Sequence, residues 1–507
     1  MPPLHRRTFI LGGLAGAGAT LLTSTAAGAA LGYPFTLGVA SGDPLPDGVV
    51  LWTRLAPSPL NADGQGGMST ASVSVEWQVA TDQYFTQLVR TGTATAASAS
   101  AHTVHVEVSG LQPGAEYYYR FRAAGYLSPV GRTRTAPAPG ALTPFTMLFA
   151  SCSHYESGYF TAYRRMAEER PDVVLHLGDY LYEGTASTTA VRKHAPTSEI
   201  TSLAHYRVRH AQYKTDPDLQ AAHAAAPWLV IWDDHEVENN YANLVRADNS
   251  PAGDVAWFRA RRAAAYKAYY EHMPLRASSV PVNENMQLYR RLRWGSLATF
   301  HLLDTRQYRD DQACGDGTKV CADAKLPGRS LTGNAQESWL LDGLGQRLGT
   351  WDILGQQVFF AQKLADAAGA TSMDAWDGYV ANRDRIQQGW DARGVRSAVV
   401  LTGDVHRSWA SNLMADYASQ NRIVGTELVT TSVTSSGDGN AADTGLSSLN
   451  PHVKFFKNLR GYCRVQVDST RMLADFRVVD KVTVRDYPVR TIQSYAIEAG
   501  NPGLVNP

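Results

Sequence analysis

The sequence predicts an α/β domain preceded by a small all-β sandwich of the immunoglobulin or fibronectin kind. Two observations predict this fold class. Between residues 31 and 135, runs of alternating, β-branched and aromatic residues are separated by turn signals such as Gly110-Leu-Gln-Pro-Gly114. After residue 144, apolar strand-like runs alternate with helical stretches instead. The 507 residues are enough for more than one domain.

The first 30 residues have the composition of an export signal. Arg6 and Arg7 precede an apolar stretch that runs to about Leu22, and a small-residue region ends at Ala30. This pattern predicts a twin-arginine signal peptide over residues 1–30, with the twin-arginine export machinery as a partner. An uncleaved membrane anchor is the alternative, but the stretch is short and rich in Gly and Ala for a spanning helix. We therefore expect a secreted, extracellular protein.

The rest of the chain divides by its pattern. Residues 31–135 are the predicted β-sandwich domain, and residues 136–144, rich in Pro and Ala, predict a linker. The predicted α/β domain covers residues 145–507, with a surface loop expected in the Ser/Gly/Asp-rich segment 434–450. Periodicity predicts helices in this domain at residues 159–170, 202–224, 251–272 and 334–348.

Charge and cysteine content narrow the classes of function. Lys and Arg total 47 and Asp and Glu total 47, so no broad basic face for nucleic acid is expected. We expect a monomer.

Cys314 and Cys321 flank a Gly/Asp-rich loop and, in an oxidising compartment, predict a local disulfide. A metal clip is the competing interpretation, but no other Cys or His lies nearby. Cys463, in an apolar run, is predicted to be a buried free thiol.

Four segments end in residue types that bind metals, and each follows an apolar strand-like run. They carry Cys152 (segment 145–152), Asp179 and Tyr182 (173–182), Asp233, Asp234 and His235 (228–236), and Asp404 and His406 (398–406). Ligands at the carboxyl ends of strands in one sheet converge in space, so we expect one multinuclear metal site. Two or more cations acidify bound water and neutralise phosphoryl oxygens, so the pattern fits phosphoester chemistry.

The motif Gly178-Asp179-Tyr-Leu-Tyr182 resembles the second motif of metallophosphoesterases of the purple acid phosphatase type. There the Asp bridges two metals and the Tyr binds ferric iron. In combination, the motifs resemble those of the alkaline phosphatase D (PhoD-like) phosphodiesterases. The matching stretches, together with the β-domain opening 38–44, span the mature chain; they are residues 149–152, 176–183, 232–241, 303–308 and 402–406.

The resemblance implies a metallophosphoesterase-type domain, with a two-sheet β core flanked by helices. It implies hydrolysis of phosphate diesters and monoesters outside the cytoplasm by attack of a metal-bound hydroxide or oxide, with Fe(III) and Ca²⁺ as cofactors. Carried over to this sequence, the iron ligands are Cys152, Asp179, Tyr182 and His406. The calcium ligands are Asp404, Asn240, the bridging Asp179, and either Asp233 or Asp234. Strand alternation leaves open which of these two faces the metals.

Asp179 and His235 are the candidate catalytic residues. In the related Gly-Asn-His-Glu motif the His contacts substrate and protonates the leaving group, which is one interpretation of His235. The other is that His235 holds a ligand carboxylate in place. Glu236 is interpreted as structural. Arg306 either borders the site or forms a structural salt bridge. The segment that begins at Asp374 either forms part of the substrate entrance or serves packing and turn formation, and the second interpretation is preferred.

Two other functions are compatible with the motifs to different degrees. A calcium-dependent phospholipase D would use the same residues on lipid headgroup diesters, and the sequence does not separate it from a soluble-substrate enzyme. A non-enzymatic extracellular binding protein is disfavoured, because degenerate homologues usually lose ligands and every motif is present here.

Overall fold

The computed structural model describes residues 32–246, 255–440 and 448–507, so the predicted signal peptide lies outside the described residues. Residues Tyr33–Pro507 form one compact unit. No helix in the described ranges is both long and apolar enough to cross a bilayer.

In the described ranges, ten strands form one mixed sheet. Chain order gives β1 (Val39–Leu45), β2 (Gly48–Arg54), β5 (Thr103–Val108), β9 (Phe145–Ala150), β10 (Val173–Leu177), β11 (Pro227–Ile231), β21 (Arg460–Val467), β22 (Arg471–Val479), β23 (Val489–Glu498) and β24 (Asn501–Val505). The spatial order is β24-β23-β22-β21-β9-β10-β11-β1-β2-β5. At its centre β9, β10 and β11 run parallel and are almost fully buried, which explains their continuous apolar sequences.

A second sheet contains seven strands of the described chain. They are β12 (Arg290–Trp294), β13 (Ala298–Leu302), β15 (Trp351–Gly355), β17 (Ala398–Thr402), β18 (Ser408–Met414), β19 (Ile423–Val429) and β20 (Val453–Lys457), in the spatial order β12-β13-β15-β17-β19-β18-β20. The two sheets face each other across the main core, where the rings of Phe145 and Trp294 lie 5.1 Å apart. This arrangement confirms the predicted two-sheet α/β class.

Helices cover the outer faces of this core. α1 (Thr161–Glu168), α2 (Leu203–Lys214), α3 (Pro217–Ala225) and α4 (Val255–His272) lie on the side of the first sheet. α5 (Gly333–Gly345) and α6 (Val380–Ala392) pack Leu340, Leu344, Ile386 and Trp390 onto the second sheet.

The predicted helix at 202–224 is two helices. Asp216 accepts hydrogen bonds from the backbone N–H groups of Asp218 and Leu219, and Pro217 is the first residue of α3. An Asp N-cap followed by Pro starts a new helix and ends the previous one. The sequence analysis also missed α6, in which Gly389 and several polar residues interrupt the apolar period. Residues 251–254 of the predicted third helix lie outside the described residues.

The N-terminal segment is all-β, as predicted, but its strands are shared between sheets. β3 (Val73–Ala80), β4 (Leu88–Ala96), β6 (Glu116–Ala123), β7 (Tyr126–Leu127) and β8 (Gly131–Arg134) form a separate small sheet. β1 instead pairs in parallel with β11, so β1, β2 and β5 extend the ten-stranded sheet. The boundary predicted near residues 136–144 therefore does not coincide with a break in this sheet.

Candidate metal centre

The candidate residues lie where the two sheets meet. Cys152, Asp179 and Asp233 follow β9, β10 and β11 of the ten-stranded sheet, whereas Asp404 and His406 follow β17 of the seven-stranded sheet. A parallel bridge between Ser151 and Ser432, which follows β19, joins the two sheets at this edge. The expectation that all ligands follow strands of one sheet is therefore wrong. The site has two halves, because parallel strands of both sheets end at the same edge.

The backbone is strained at the candidate ligands. Cys152, Asp179, Asn240, Asp404 and His406 adopt φ angles of 61°, 53°, 50°, 62° and 57°. Non-glycine residues rarely adopt this left-handed region, and such strain concentrates at functional sites.

Gly178 has a φ of 104°, which favours glycine, and the next strand end leaves no room for a side chain at this position. A Cβ atom there would lie 2.6 Å from the backbone nitrogen of Asp233. Only glycine lets the strand ends of β10 and β11 approach this closely.

The first group of donors combines sulfur, nitrogen and oxygen. Ligand atoms of Cys152, Asp179 and His406 lie within 4.8 Å of one another. The Tyr182 hydroxyl lies 3.0 Å from Asp179 Oδ2 and 3.0 Å from His406 Nε2. Ser435 Oγ donates to the same hydroxyl at 2.6 Å. Ser435 is 2% exposed, so the predicted surface loop 434–450 begins inside the site.

Protonation in this group depends on burial and on nearby carboxylates. Burial, with Asp179 adding to it, raises the pKa of the Cys152 thiol and of the Tyr182 hydroxyl well above their ordinary values. Burial and, next, the charge of His235 lower the pKa of His406 to about 3. The imidazole of His406 is therefore neutral and able to act as a ligand.

The second group contains carboxylates and shares Asp179 with the first. Ligand atoms of Asp179, Asp234 and His235 lie within 4.8 Å of one another. Burial and the Asp234 charge raise the pKa of Asp179 well above its ordinary value. The buried atoms Asp179 Oδ1 and Asp233 Oδ2 have no hydrogen-bond partner in the described chain. Since buried carboxylate oxygens are normally paired, these residues fit cations placed between the two groups.

Asp233 and Asp234 lie beyond β11, so strand alternation does not separate them. Both are buried. Asp234 accepts the backbone N–H groups of His235 at 2.9 Å and Asn240 at 2.6 Å. Burial raises the pKa of Asp233 to about 6 even though Arg306 lowers it. Both carboxylates therefore remain candidate ligands.

Arg306 clamps three carboxylates together. Its side chain is fully buried and donates through Nε to Asp233. It lies 3.6 Å from Asp234 and forms two hydrogen bonds of 2.8 Å with Asp374. Arg309 also binds Asp374. The structure therefore gives Arg306 the salt-bridge role, at the border of the site, and places Asp374 in the same network.

His235 is held by Glu183, a residue that the sequence analysis left without a role. Glu183 Oε2 lies 2.7 Å from His235 Nδ1, and the His235 ring lies 4.1 Å from the Tyr182 ring. Burial opposes charge on His235, but Glu183, Asp234 and Asp179 outweigh it and raise its pKa well above the ordinary value. These carboxylates therefore favour the charged imidazolium form of His235.

Glu236 organises the backbone beneath the site. Its carboxylate accepts hydrogen bonds from the N–H groups of Asp179 (3.1 Å), Tyr180 (2.5 Å) and Asp233 (2.8 Å). These bonds tie the end of β10 to the end of β11 and help to hold the strained Asp179 in place.

The two predictions for the remaining cysteines are confirmed. Cys314 and Cys321 form a disulfide, and Cys463 is a buried free thiol.

Family models match almost the whole described chain. The model described as "PhoD-like phosphatase" matches residues 147–476, and the model described as its N-terminal domain matches residues 22–137. The chain belongs to the PhoD-like phosphatase family.

Individual relatives agree with this assignment to the PhoD-like phosphatases. The chain is 51% identical over 485 residues to alkaline phosphatase D of Bacillus subtilis (strain 168), covering 93% of this chain and 82% of the relative. The solved structure of PhoD has a TM-score of 0.90 and 51% identity, over 94% of this chain and 92% of that one. The resemblance inferred from the motifs is confirmed, and the protein is a phosphoesterase, a hydrolase of ester bonds.

A more distant structural match shows similarity of the fold alone. A purple acid phosphatase from yellow lupin seeds (Lupinus luteus) has a TM-score of 0.56 and 12% identity, over 92% of this chain and 74% of that one.

Proposed function

We propose that this phosphoesterase depends on metals and hydrolyses phosphate diesters and monoesters. The observation that carries the proposal is the position of Asp179. It belongs to both ligand groups, and its buried Oδ1 has no hydrogen-bond partner among the described residues. A carboxylate shared by two donor groups would help to hold a cation in each of them.

The donor atoms of the two ligand groups support two different metals. Thiolate, phenolate and imidazole donors suit a transition metal, so Fe(III) takes Cys152, Tyr182, His406 and Asp179. Oxygen donors suit Ca²⁺. The proposed calcium ligands are carboxylate and amide oxygens of Asp179, Asp233, Asp234, Asn240 and Asp404. When bound, such cations neutralise phosphoryl oxygens and acidify water.

The side chains have complementary tasks. Cys152 and Tyr182 lose their protons on metal binding, because burial and neighbouring carboxylates otherwise keep them protonated. His235 uses Nδ1 on Glu183, which leaves Nε2 to donate a proton to the leaving group of the substrate. Arg306 balances the carboxylate charge on the calcium side.

Hydrolysis of bis-p-nitrophenyl phosphate and p-nitrophenyl phosphate tests this function. We expect both to be cleaved at alkaline pH with Ca²⁺ present, and we expect a chelator to abolish cleavage reversibly. The ratio of the two rates measures the preference for diesters. Unchanged rates in exhaustively chelated protein, verified to be metal-free, would contradict metal dependence.

Three further measurements test the finer parts of the proposal. The Tyr182 phenolate should give an iron charge-transfer band in the visible range, absent from Tyr182→Phe. Release of headgroup from phosphatidylcholine vesicles would support the phospholipase D alternative.

The predicted signal peptide implies that export requires Arg6 and Arg7. Export of Arg6→Lys/Arg7→Lys protein should therefore be reduced.

Replacement of His235 should depend on the leaving group. We expect His235→Asn to reduce kcat by about 10²–10⁴-fold for a diester with an alkoxide leaving group, the range for a lost proton donor. The loss should be much smaller for p-nitrophenolate, which leaves without a proton. Glu183→Gln removes the largest charge that raises the His235 pKa, so activity should decline at a lower pH than in the wild type.

His205→Asn, on α2, is the matched control for His235. Equal losses for both leaving groups in His235→Asn would contradict the role of proton donor. They would favour the alternative that His235 only holds a carboxylate in place.

A further inference from the structure

The loop closed by the Cys314–Cys321 disulfide contacts Asn240, one of the proposed calcium ligands. Asn240 Nδ2 donates to Asp316 Oδ2 at 2.6 Å, and Asp316 lies between Cys314 and Cys321. Gln312, just before the loop, donates to the backbone carbonyl of Asn240 at 2.8 Å. The loop therefore contacts the side chain of Asn240, and the residue pair preceding it contacts the main chain of Asn240 through Gln312.

Asp316 decides which way the Asn240 amide faces. A carboxylate only accepts hydrogen bonds, so the NH₂ group of Asn240 must face Asp316. The carbonyl oxygen Oδ1 is then the end of the amide that is left for a cation. A hard cation binds amides only through this oxygen. Without Asp316, either end of the amide could face the site.

The loop is anchored at both ends, so Asp316 has a defined position. The disulfide closes the loop, and β14 (Thr318–Lys319) pairs with β16 (Thr371–Ser372). β16 leads directly to Asp374, which binds Arg306. Gly317 N–H donates to Asp316 Oδ1 at 2.6 Å, which orients the carboxylate. The disulfide-closed loop that contacts Asn240 is therefore also paired with the strand that leads to the Arg306 clamp.

We propose that Asp316 is a positioning residue of this phosphoesterase, which orients the Asn240 amide, and that the Cys314–Cys321 disulfide holds Asp316 in place. The inference rests on the proposed function, because Asn240 is a proposed calcium ligand. Partners that orient metal ligands typically change metal affinity by about 10–100-fold when they are lost. Asp316→Ala should therefore weaken Ca²⁺ binding by at least about tenfold.

Calorimetric titration of the iron-loaded protein with Ca²⁺ tests the proposal directly. Asp316→Asn should lose less affinity than Asp316→Ala, because the new amide oxygen can still accept from Asn240. Cys314→Ser/Cys321→Ser should lose affinity by a few-fold, since the loop keeps its β pairing. In the two Asp316 variants, the visible iron band and the unfolding temperature of the metal-free protein should stay at wild-type values. Asp323→Asn, an exposed acid just outside the loop, is the control and should match the wild type.

The outcomes separate the two proposals. If the wild type itself binds no Ca²⁺, the calcium assignment fails. If the wild type binds Ca²⁺ and Asp316→Ala binds it equally well, the positioning role of Asp316 is overturned. If Asp316→Ala also loses the iron band, Asp316 supports the whole site structurally, and the specific role toward Asn240 is wrong.

Discussion

Asp179→Asn should abolish catalysis while leaving the fold intact. We expect kcat/KM for bis-p-nitrophenyl phosphate to fall by at least about 10³-fold, or about 4 kcal/mol of transition-state stabilisation. The reason is that Asp179 is shared by both ligand groups, so its loss affects both proposed metals. Steady-state kinetics together with metal analysis of the purified variant measure the effect.

The stability of the same variant separates catalysis from folding. In metal-free protein, burial and the Asp234 charge disfavour the ionised Asp179. Asparagine has the same shape without the charge and retains an acceptor for the Tyr182 hydroxyl. Asp179→Asn should therefore unfold at a temperature no lower than the wild type after chelation. Asp342→Asn, an exposed substitution on α5, provides the control. Wild-type activity in Asp179→Asn with normal metal content would overturn the site assignment.

Arg306→Met should destabilise the protein more than a surface substitution does. Arg306 pairs with buried Asp233 and shares Asp374 with Arg309, so its removal leaves the charge of Asp233 without its cation. Breaking a buried pair from one side typically costs about 3–5 kcal/mol. We expect a loss of that size in the free energy of unfolding of metal-free protein, measured by denaturant titration.

Two comparisons make the Arg306 prediction specific. Arg309→Met removes a cation that binds Asp374 but not Asp233, so its effect should be smaller. Bound cations would offset the carboxylate charge near Asp233, so metal loading should reduce the loss in Arg306→Met. A loss within about 1 kcal/mol of that for Arg309→Met would show that Arg306 is not the main support of this network.

Local signals in the sequence were sufficient for most elements and for the ligand types. Apolar runs such as residues 173–177 predicted the buried strands, since a parallel strand is covered on both faces. Where local signals conflicted, the prediction failed. The Asp216-Pro217 pair marked a helix start within an otherwise continuous helical pattern, and the polar face of α6 concealed its period.

The partners of the site residues were not predictable in the same way. Glu183 is separated from His235 by 52 residues, and Asn240 from Asp316 by 76. No local pattern marks such pairs, because each partner is an ordinary acidic residue in a loop. Ser435 was assigned to a surface loop because its segment is rich in small polar residues, and no local pattern marks its contact with Tyr182.

The sequence by itself determined the strands, the family and the residue types at the strand ends, because these follow from local hydrophobic pattern and short motifs. Only the tertiary structure decided that two sheets supply the site, that β1, β2 and β5 extend the larger sheet, and that Glu183 pairs with His235. These features depend on which strand edges pair and on long-range packing. Backbone hydrogen bonds between neighbouring strands do not depend on the side chains. Which strands pair is therefore decided only when the whole core assembles.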